Sequence, residues 1–192
     1  MSNPWDPFPF PLEGDEDSRL TFEGIGRVVS IWGQLEFTLA RIYSTFVECP
    51  DSKDALEEYG KPRIFRDRLH NLKAVADKWA IRYPSQRLEH FQDLMKNDAE
   101  IIADRRNDIA HSVVFDISLL PYFQNCLRAE SRPIKTQWAA VPAFFAAKEY
   151  QDGAPKWAYA APQLKGVMVE CEKFIGELHF FREALREGRG GE

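Results

Sequence analysis

The sequence predicts a mainly α-helical protein: a four-helix up-down bundle with a small β-containing insert between the third and fourth helices. Three observations predict this fold class. Four long segments carry apolar residues at steps of three and four, which is the spacing of one buried helix face. A very short proline-containing turn joins the second segment to the third, as between antiparallel neighbours in a bundle. Before the fourth segment the pattern changes to short β-branched and aromatic runs with turn residues, which is typical of a small sheet.

Each helix has its own start, stop and apolar stripe. The first is predicted over about 18–46, and its stripe comprises Ile25, Val29, Trp32, Leu35, Leu39, Tyr43 and Phe46. The second begins near Pro62, a favourable first-turn residue, and ends at Tyr83. Ser85 is the predicted cap of the third, whose core positions are Phe91, Met95, Ile102 and Ile109. The fourth runs from about Pro162 to Glu187.

The chain organisation follows from these elements. Residues 1–18 are predicted to form an extended proline-rich arm, residues 19–187 the bundle, and residues 188–192 a flexible tail. The insert covers about 113–160, with strands at 113–117 and 133–141 and a hairpin turn at Asp152-Gly153. Its many aromatic side chains could stack bases, but packing against one end of the bundle is the favoured interpretation.

Composition excludes several classes of protein. The 192-residue chain has a net charge of −5 and no apolar run of the roughly 20 residues that a membrane span needs. The N-terminus has no basic and apolar pattern of a signal peptide, so we expect a cytoplasmic protein that makes no membrane contact. The three cysteines are widely spaced, which argues against a disulfide framework and against a zinc site. Neither a metal nor a cofactor is expected.

The third predicted helix ends in the polar stretch DRRNDIAHS, residues 104–112. At 100° per residue, Asp104, Asn107 and His111 share the side opposite the core stripe, with Arg106 on the flank. These residue types suit metal-free RNA cleavage, because histidine transfers protons near neutral pH and arginine stabilises the charge that develops on the phosphate. One helix supplies only one histidine, so separate acid and base roles require a second copy, which a two-fold dimer provides.

The segment RNDIAH, residues 106–111, resembles the motif of HEPN-domain ribonucleases, in which an arginine and a polar residue are followed by a histidine. The predicted architecture is also similar to that family, a helical bundle with this motif on the third helix and a variable insert after it. The resemblance implies a homodimeric, metal-independent endoribonuclease with Arg106, Asn107 and His111 at the site. It also implies an RNA substrate, a toxin–antitoxin or anti-phage defence role and, as a further candidate partner, a cognate antitoxin. Arg105 satisfies the looser motif spacing as well, so the choice between the two arginines stays open.

Three supporting residues accompany the motif. Glu36 falls inside the apolar stripe of the first helix, where an unpaired carboxylate is costly, and we predict an ion pair between Glu36 and Arg105. That pair could fix the helix register, or it could aim the motif or place a carboxylate in the dimer cleft. Asp104 is the third; together with Asp108 it could bind Mg²⁺, but exposed helical carboxylates are ordinarily solvated, so this interpretation is disfavoured.

Nucleic-acid binding by an acidic chain requires a local basic patch. The predicted patch comprises Lys61, Arg63, Arg66 and Arg68. Taken on its own, the stretch is more simply interpreted as a solvated helix face. The alternative function is a non-catalytic HEPN-like helical module that binds a protein partner, a nucleotide or RNA, and the net negative charge favours it. A polar dimer interface without further function is the third interpretation.

Overall fold

The computed structural model describes residues 5–8, 10, 13–144 and 146–187 and confirms a mainly α-helical protein. The α-helices are α1 (Ser18–Phe46), α2 (Lys53–Gly60), α3 (Phe65–Arg82), α4 (Gln86–Asn97), α5 (Ala99–Ala110), α6 (Pro121–Ala129) and α7 (Ala161–Glu187). The strands are β1 (Val113–Asp116), β2 (Trp138–Val141), β3 (Tyr150–Gln151) and β4 (Ala154–Pro155). Among the described helices, none combines the length and the apolar character that crossing a bilayer requires.

The chain divides into two compact units. The first unit consists of Met1–Ile31 and Asp104–Glu170, and the second of Trp32–Ala103 and Cys171–Glu192. The division falls within three helices, because α1, α5 and α7 each contribute residues to both units.

The first unit contains both small sheets. Strand β1 pairs antiparallel with β2, with Val113 opposite Val141, so the predicted first strand is confirmed and the second is shorter than predicted. Strands β3 and β4 form the predicted hairpin, and its turn residues Asp152 and Gly153 both have positive φ. Helix α6, which was not predicted, lies between β1 and β2 in the chain. It packs into a buried cluster made of Ile117, Leu120, Phe123, Leu127, Ala139, Val141 and Ala158.

The described part of the N-terminal arm packs on the first unit. Phe8 makes an edge contact with Tyr159, and Phe10 makes one with Phe123. Asp15 is buried, accepts a 2.6 Å hydrogen bond from the Thr21 hydroxyl and caps α7 by accepting from the Ala161 N–H at 3.0 Å. The arm is therefore held by aromatic packing and a buried carboxylate. Its residues 1–4, 9, 11 and 12 and the predicted tail at 188–192 lie outside the described residues.

The second unit buries a cluster of aromatic rings. Phe46 of α1 contacts both Phe91 of α4 and Phe181 of α7, and the last two rings stack with centroids 4.4 Å apart. Helix α2, capped by Ser52, was not predicted. Such aromatic burial contributes on the order of 2 kcal/mol per side chain to stability.

Two details of the predicted helices are wrong. The third predicted helix is divided into α4 and α5 at Asp98, whose φ of −111° departs from helical values; aspartate is also unfavourable inside a helix. On α1, Val28 is 1% exposed and Val29 is 38% exposed, so the stripe runs one residue earlier than predicted there. The spacing of the apolar residues was predicted correctly. Because Val28 and Val29 are adjacent and both apolar, the sequence alone did not show which of them is buried.

Candidate functional site

The polar stretch forms the end of α5 and the turn after it. The His111 N–H donates to the Asn107 carbonyl at 3.0 Å, so helical hydrogen bonding continues one residue beyond Ala110. Ser112 ends this pattern, because both its N–H and its hydroxyl bond to the Ile109 carbonyl, at 3.3 and 2.7 Å. Helical geometry therefore applies up to the histidine.

The side chains around this helix end divide between solvent and core. Asp104, Asn107 and His111 are exposed, whereas Ile102 and Ile109 are buried. This is the distribution that the helical projection predicts, and the His111 ring is not enclosed by aliphatic neighbours. An exposed imidazole can exchange protons with a bound substrate.

Arg106 and Asn107 contact each other directly. The Arg106 Nη1 donates to Asn107 Oδ1 at 3.0 Å, and the arginine is half-buried. This hydrogen bond restricts both side chains, and Asn107 is exposed four residues before His111, on the same side of the helix. Planar guanidinium donors beside an amide and an imidazole suit a phosphate group.

Arg105 has a different environment. Its Nη1 lies 2.6 Å from Asp108 Oδ2 and donates a long, 3.4 Å hydrogen bond to the Tyr159 hydroxyl. Its Nε is buried and has no hydrogen-bond partner among the residues that the structure describes. Tyr159 belongs to the segment that follows β4 and is fully buried. Arg105 therefore connects the motif helix to the insert, and Arg106 is the arginine whose side chain contacts the rest of the motif.

The predicted ion pair between Glu36 and Arg105 is wrong. Glu36 is instead paired with Arg68 of α3, and Arg105 with Asp108 on its own helix. The physical reason is proximity, because Asp108 stands three residues from Arg105, where helical side chains meet. Glu36 therefore does not position the motif through an ion pair with Arg105.

Three of the four residues of the predicted basic patch are exposed to solvent. Lys61, Arg63 and Arg66 are exposed. Arg68 is half-buried, and its guanidinium donates to Glu36 and to the Pro62 carbonyl at 2.9 Å. Arg68 is therefore a structural residue of the second unit and does not belong to an exposed phosphate-binding surface.

Asp108 is half-buried beside several charged groups of the first unit. Burial raises the pKa of the Asp108 carboxyl, and the nearby Glu149 and Asp104 carboxylates raise it further, while Arg105 and Lys148 oppose them. Burial also raises the pKa of Tyr159, with Arg105 opposing. Arg105, Asp108 and Tyr159 form one partly buried polar cluster that helical projection alone did not identify.

Replacing Asp108 by asparagine is expected to change how stability depends on pH. Because the folded-state pKa is raised, the native protein takes up this proton at a higher pH than the unfolded chain does. The free energy of unfolding of the wild type should therefore rise relative to Asp108→Asn as pH falls from 7 towards about 4, near the unfolded pKa. Urea denaturation at several pH values measures this difference. The same trend in the control Asp93→Asn, at an exposed carboxylate of α4 that does not act on Asp108, would contradict a specific effect of Asp108.

Other candidate chemistry is sparse in the part of the chain that the structure describes. His70, His90 and His179 are exposed, and no group of three or more His, Cys, Asp or Glu side chains is arranged to hold a metal ion among the described residues. Sequence reasoning missed the buried Arg182, although a charge at an apolar stripe position of α7 was a visible signal.

No family model, curated protein or solved structure matches the chain.

Proposed function

We propose that the protein is a metal-independent endoribonuclease of HEPN type. The observation that carries this proposal is the exposed His111 on the same helix end as the hydrogen-bonded pair of Arg106 and Asn107. General acid–base chemistry needs an accessible imidazole, and the transition state of phosphate transfer needs fixed donors beside it. The presence of all three residues within two helical turns supports the proposal.

The reaction transfers the phosphate within the RNA strand. One imidazole takes the proton of a ribose 2′-hydroxyl, whose oxygen then attacks the adjacent phosphorus. The bond from phosphorus to the 5′-oxygen breaks, and a protonated imidazole gives its proton to that leaving oxygen. Arg106 donates to the non-bridging phosphate oxygens as their charge rises, and Asn107 orients the arginine. The products are a 2′,3′-cyclic phosphate and a 5′-hydroxyl.

The proposal includes a homodimer. The sequence 106–111 offers a single histidine, and a two-fold axis that brings two copies together supplies both the base and the acid. Helices α1, α3, α4 with α5, and α7 are the proposed four-helix HEPN-like bundle. We further propose a cytoplasmic toxin–antitoxin or anti-phage role, with a cognate antitoxin covering the cleft.

The decisive experiment incubates purified protein with total RNA and identifies the ends of the fragments. We expect cyclic phosphate and 5′-hydroxyl termini, at a rate that EDTA does not change, because no step uses a metal ion. Fragments with 3′-hydroxyl ends, or strict dependence on Mg²⁺, would contradict the mechanism. Absence of cleavage under all conditions would favour a non-catalytic binding module.

A non-catalytic binding module is the second candidate. The net charge of −5 and the structural role of Arg68 both reduce the cationic surface that RNA binding needs. RNA affinity measured at several salt concentrations separates the two candidates. Affinity that falls steeply with salt supports phosphate contacts, whereas weak and salt-independent binding favours a protein partner.

A further inference from the structure

A groove lies between α4 and α7 in the second unit. Its cavity volume is about 600 Å³, within the range of roughly 300–1,000 Å³ that is usual for small-molecule sites. It is lined by Phe91 and Leu94 on one helix and by Gly176, Phe180 and Phe181 on the other. Phe180, which lines the groove, is 70% exposed, so its ring offers apolar surface that a ligand can cover.

Gly176 is the one lining residue of the groove without a side chain. It lies inside α7, and a Cβ built on it would meet no atom within 4 Å. Glycine inside a helix costs roughly 0.5–1 kcal/mol relative to alanine. Because Gly176 lines the groove, its missing side chain leaves space there for an apolar group.

The polar rim of the groove carries charged side chains from both helices. The lining includes the basic side chains Arg87 and Lys173 and one carboxylate, Glu177, with His90 Nε2 at 4.0 Å from it. The Arg87 guanidinium lies 5.7 Å from the centroid of the Phe180 ring. Among the described residues, Arg87 has no carboxylate partner, so its five N–H donors can meet an anion.

We propose that this groove binds an amphipathic anion with one apolar chain, such as a medium-chain carboxylate. The apolar chain lies on the phenylalanine floor and over Gly176, where it removes the exposed Phe180 ring from water. The carboxylate accepts hydrogen bonds from Arg87, a geometry that the planar guanidinium favours. This site does not depend on the proposed ribonuclease activity.

The test compares three probes with the same twelve-carbon chain at concentrations below micelle formation. Titration calorimetry with the full chain is expected to show that dodecanoate binds at least about tenfold more tightly than dodecanol, and that dodecyltrimethylammonium binds more weakly still. Arg87→Gln should lower the dodecanoate affinity about tenfold and leave the dodecanol affinity unchanged. Equal affinity for the acid and the alcohol would overturn the assignment of an anion.

Two glycine variants then locate the site. Gly176→Leu fills the groove and should abolish dodecanoate binding, while leucine should favour the helix. Gly26→Leu is the matched control, because Gly26 also lies inside a helix with no atom within 4 Å of a built Cβ. It should bind dodecanoate as the wild type does. Unchanged binding by Gly176→Leu, or equal loss in both variants, would overturn the proposed site.

Discussion

Replacing His111 by alanine is expected to reduce RNA cleavage by at least about 10²–10⁴-fold, the usual contribution of general acid–base catalysis. The loss should be in kcat, because the proposed mechanism gives the exposed imidazole proton transfer and no substrate contact besides it. In a dimer the substitution removes the base and the acid together, which places the expected loss at the upper end of this range. Initial rates on a defined RNA measure the effect.

The same variant should remain folded. His111 is exposed after the last residue of α5, so its removal opens no cavity and leaves no buried polar group unsatisfied. Circular dichroism and sedimentation should match the wild type. His179→Ala is the matched control, because this histidine is also exposed and lies on α7 outside the motif. Cleavage by His111→Ala at the wild-type rate would contradict the proposed function, and equal loss in the control would point to a general effect of the substitution.

The largest expected effects on stability involve Arg182, which is 1% exposed in the second unit. Its Nη2 lies 2.6 Å from Asp51 and its Nη1 lies 3.2 Å from Glu183. The Arg41 hydrogen bond, assisted by the charge of Arg182, holds the pKa of the Asp51 carboxyl below its ordinary value. Leaving the buried guanidinium without this carboxylate costs more free energy than leaving the partly exposed carboxylate without the guanidinium, because water can solvate only the carboxylate.

Replacing Asp51 by asparagine should therefore destabilise the protein by about 2–3 kcal/mol. This is at or just below the lower end of the roughly 3–5 kcal/mol for a broken buried pair, because Asp51 is itself partly exposed. Asparagine tolerates the positive φ of 58° at this position, so the charge is the main change. Arg182→Met removes the buried charge and leaves Asp51, which is partly exposed and can be solvated. This substitution should lower the free energy of unfolding by only about 1–2 kcal/mol. Urea denaturation at pH 7 measures both values.

The double variant completes a thermodynamic cycle. Asp51→Asn with Arg182→Met should be less destabilised than the sum of the two single variants, since the asparagine no longer leaves a buried cation behind. Glu23→Gln breaks the exposed ion pair with Arg27 and is the control, for which little change is expected. Additive effects in the double variant would show that the pair between Asp51 and Arg182 contributes nothing to stability.

Particular elements show how far sequence reasoning reaches. The stripes of α3, α4, α5 and α7 follow from apolar spacing, and the hairpin at Asp152-Gly153 follows from turn chemistry. The short helices α2 and α6 were missed, because eight or nine residues contain too few turns for a clear period. The exposed side of α5 could be predicted because a helix fixes the direction of each side chain relative to its neighbours.

The chain by itself determined the features that depend on residues a few positions apart: the helices, the turn, and the outward direction of Asn107 and His111. Tertiary structure alone decided which charges meet, and it paired Glu36 with Arg68 and brought Tyr159 to Arg105. The physical reason is that local patterns specify which face of an element is buried, whereas an ion pair depends on distances between elements. Those distances are set by the packing of the whole core, to which every distant residue contributes.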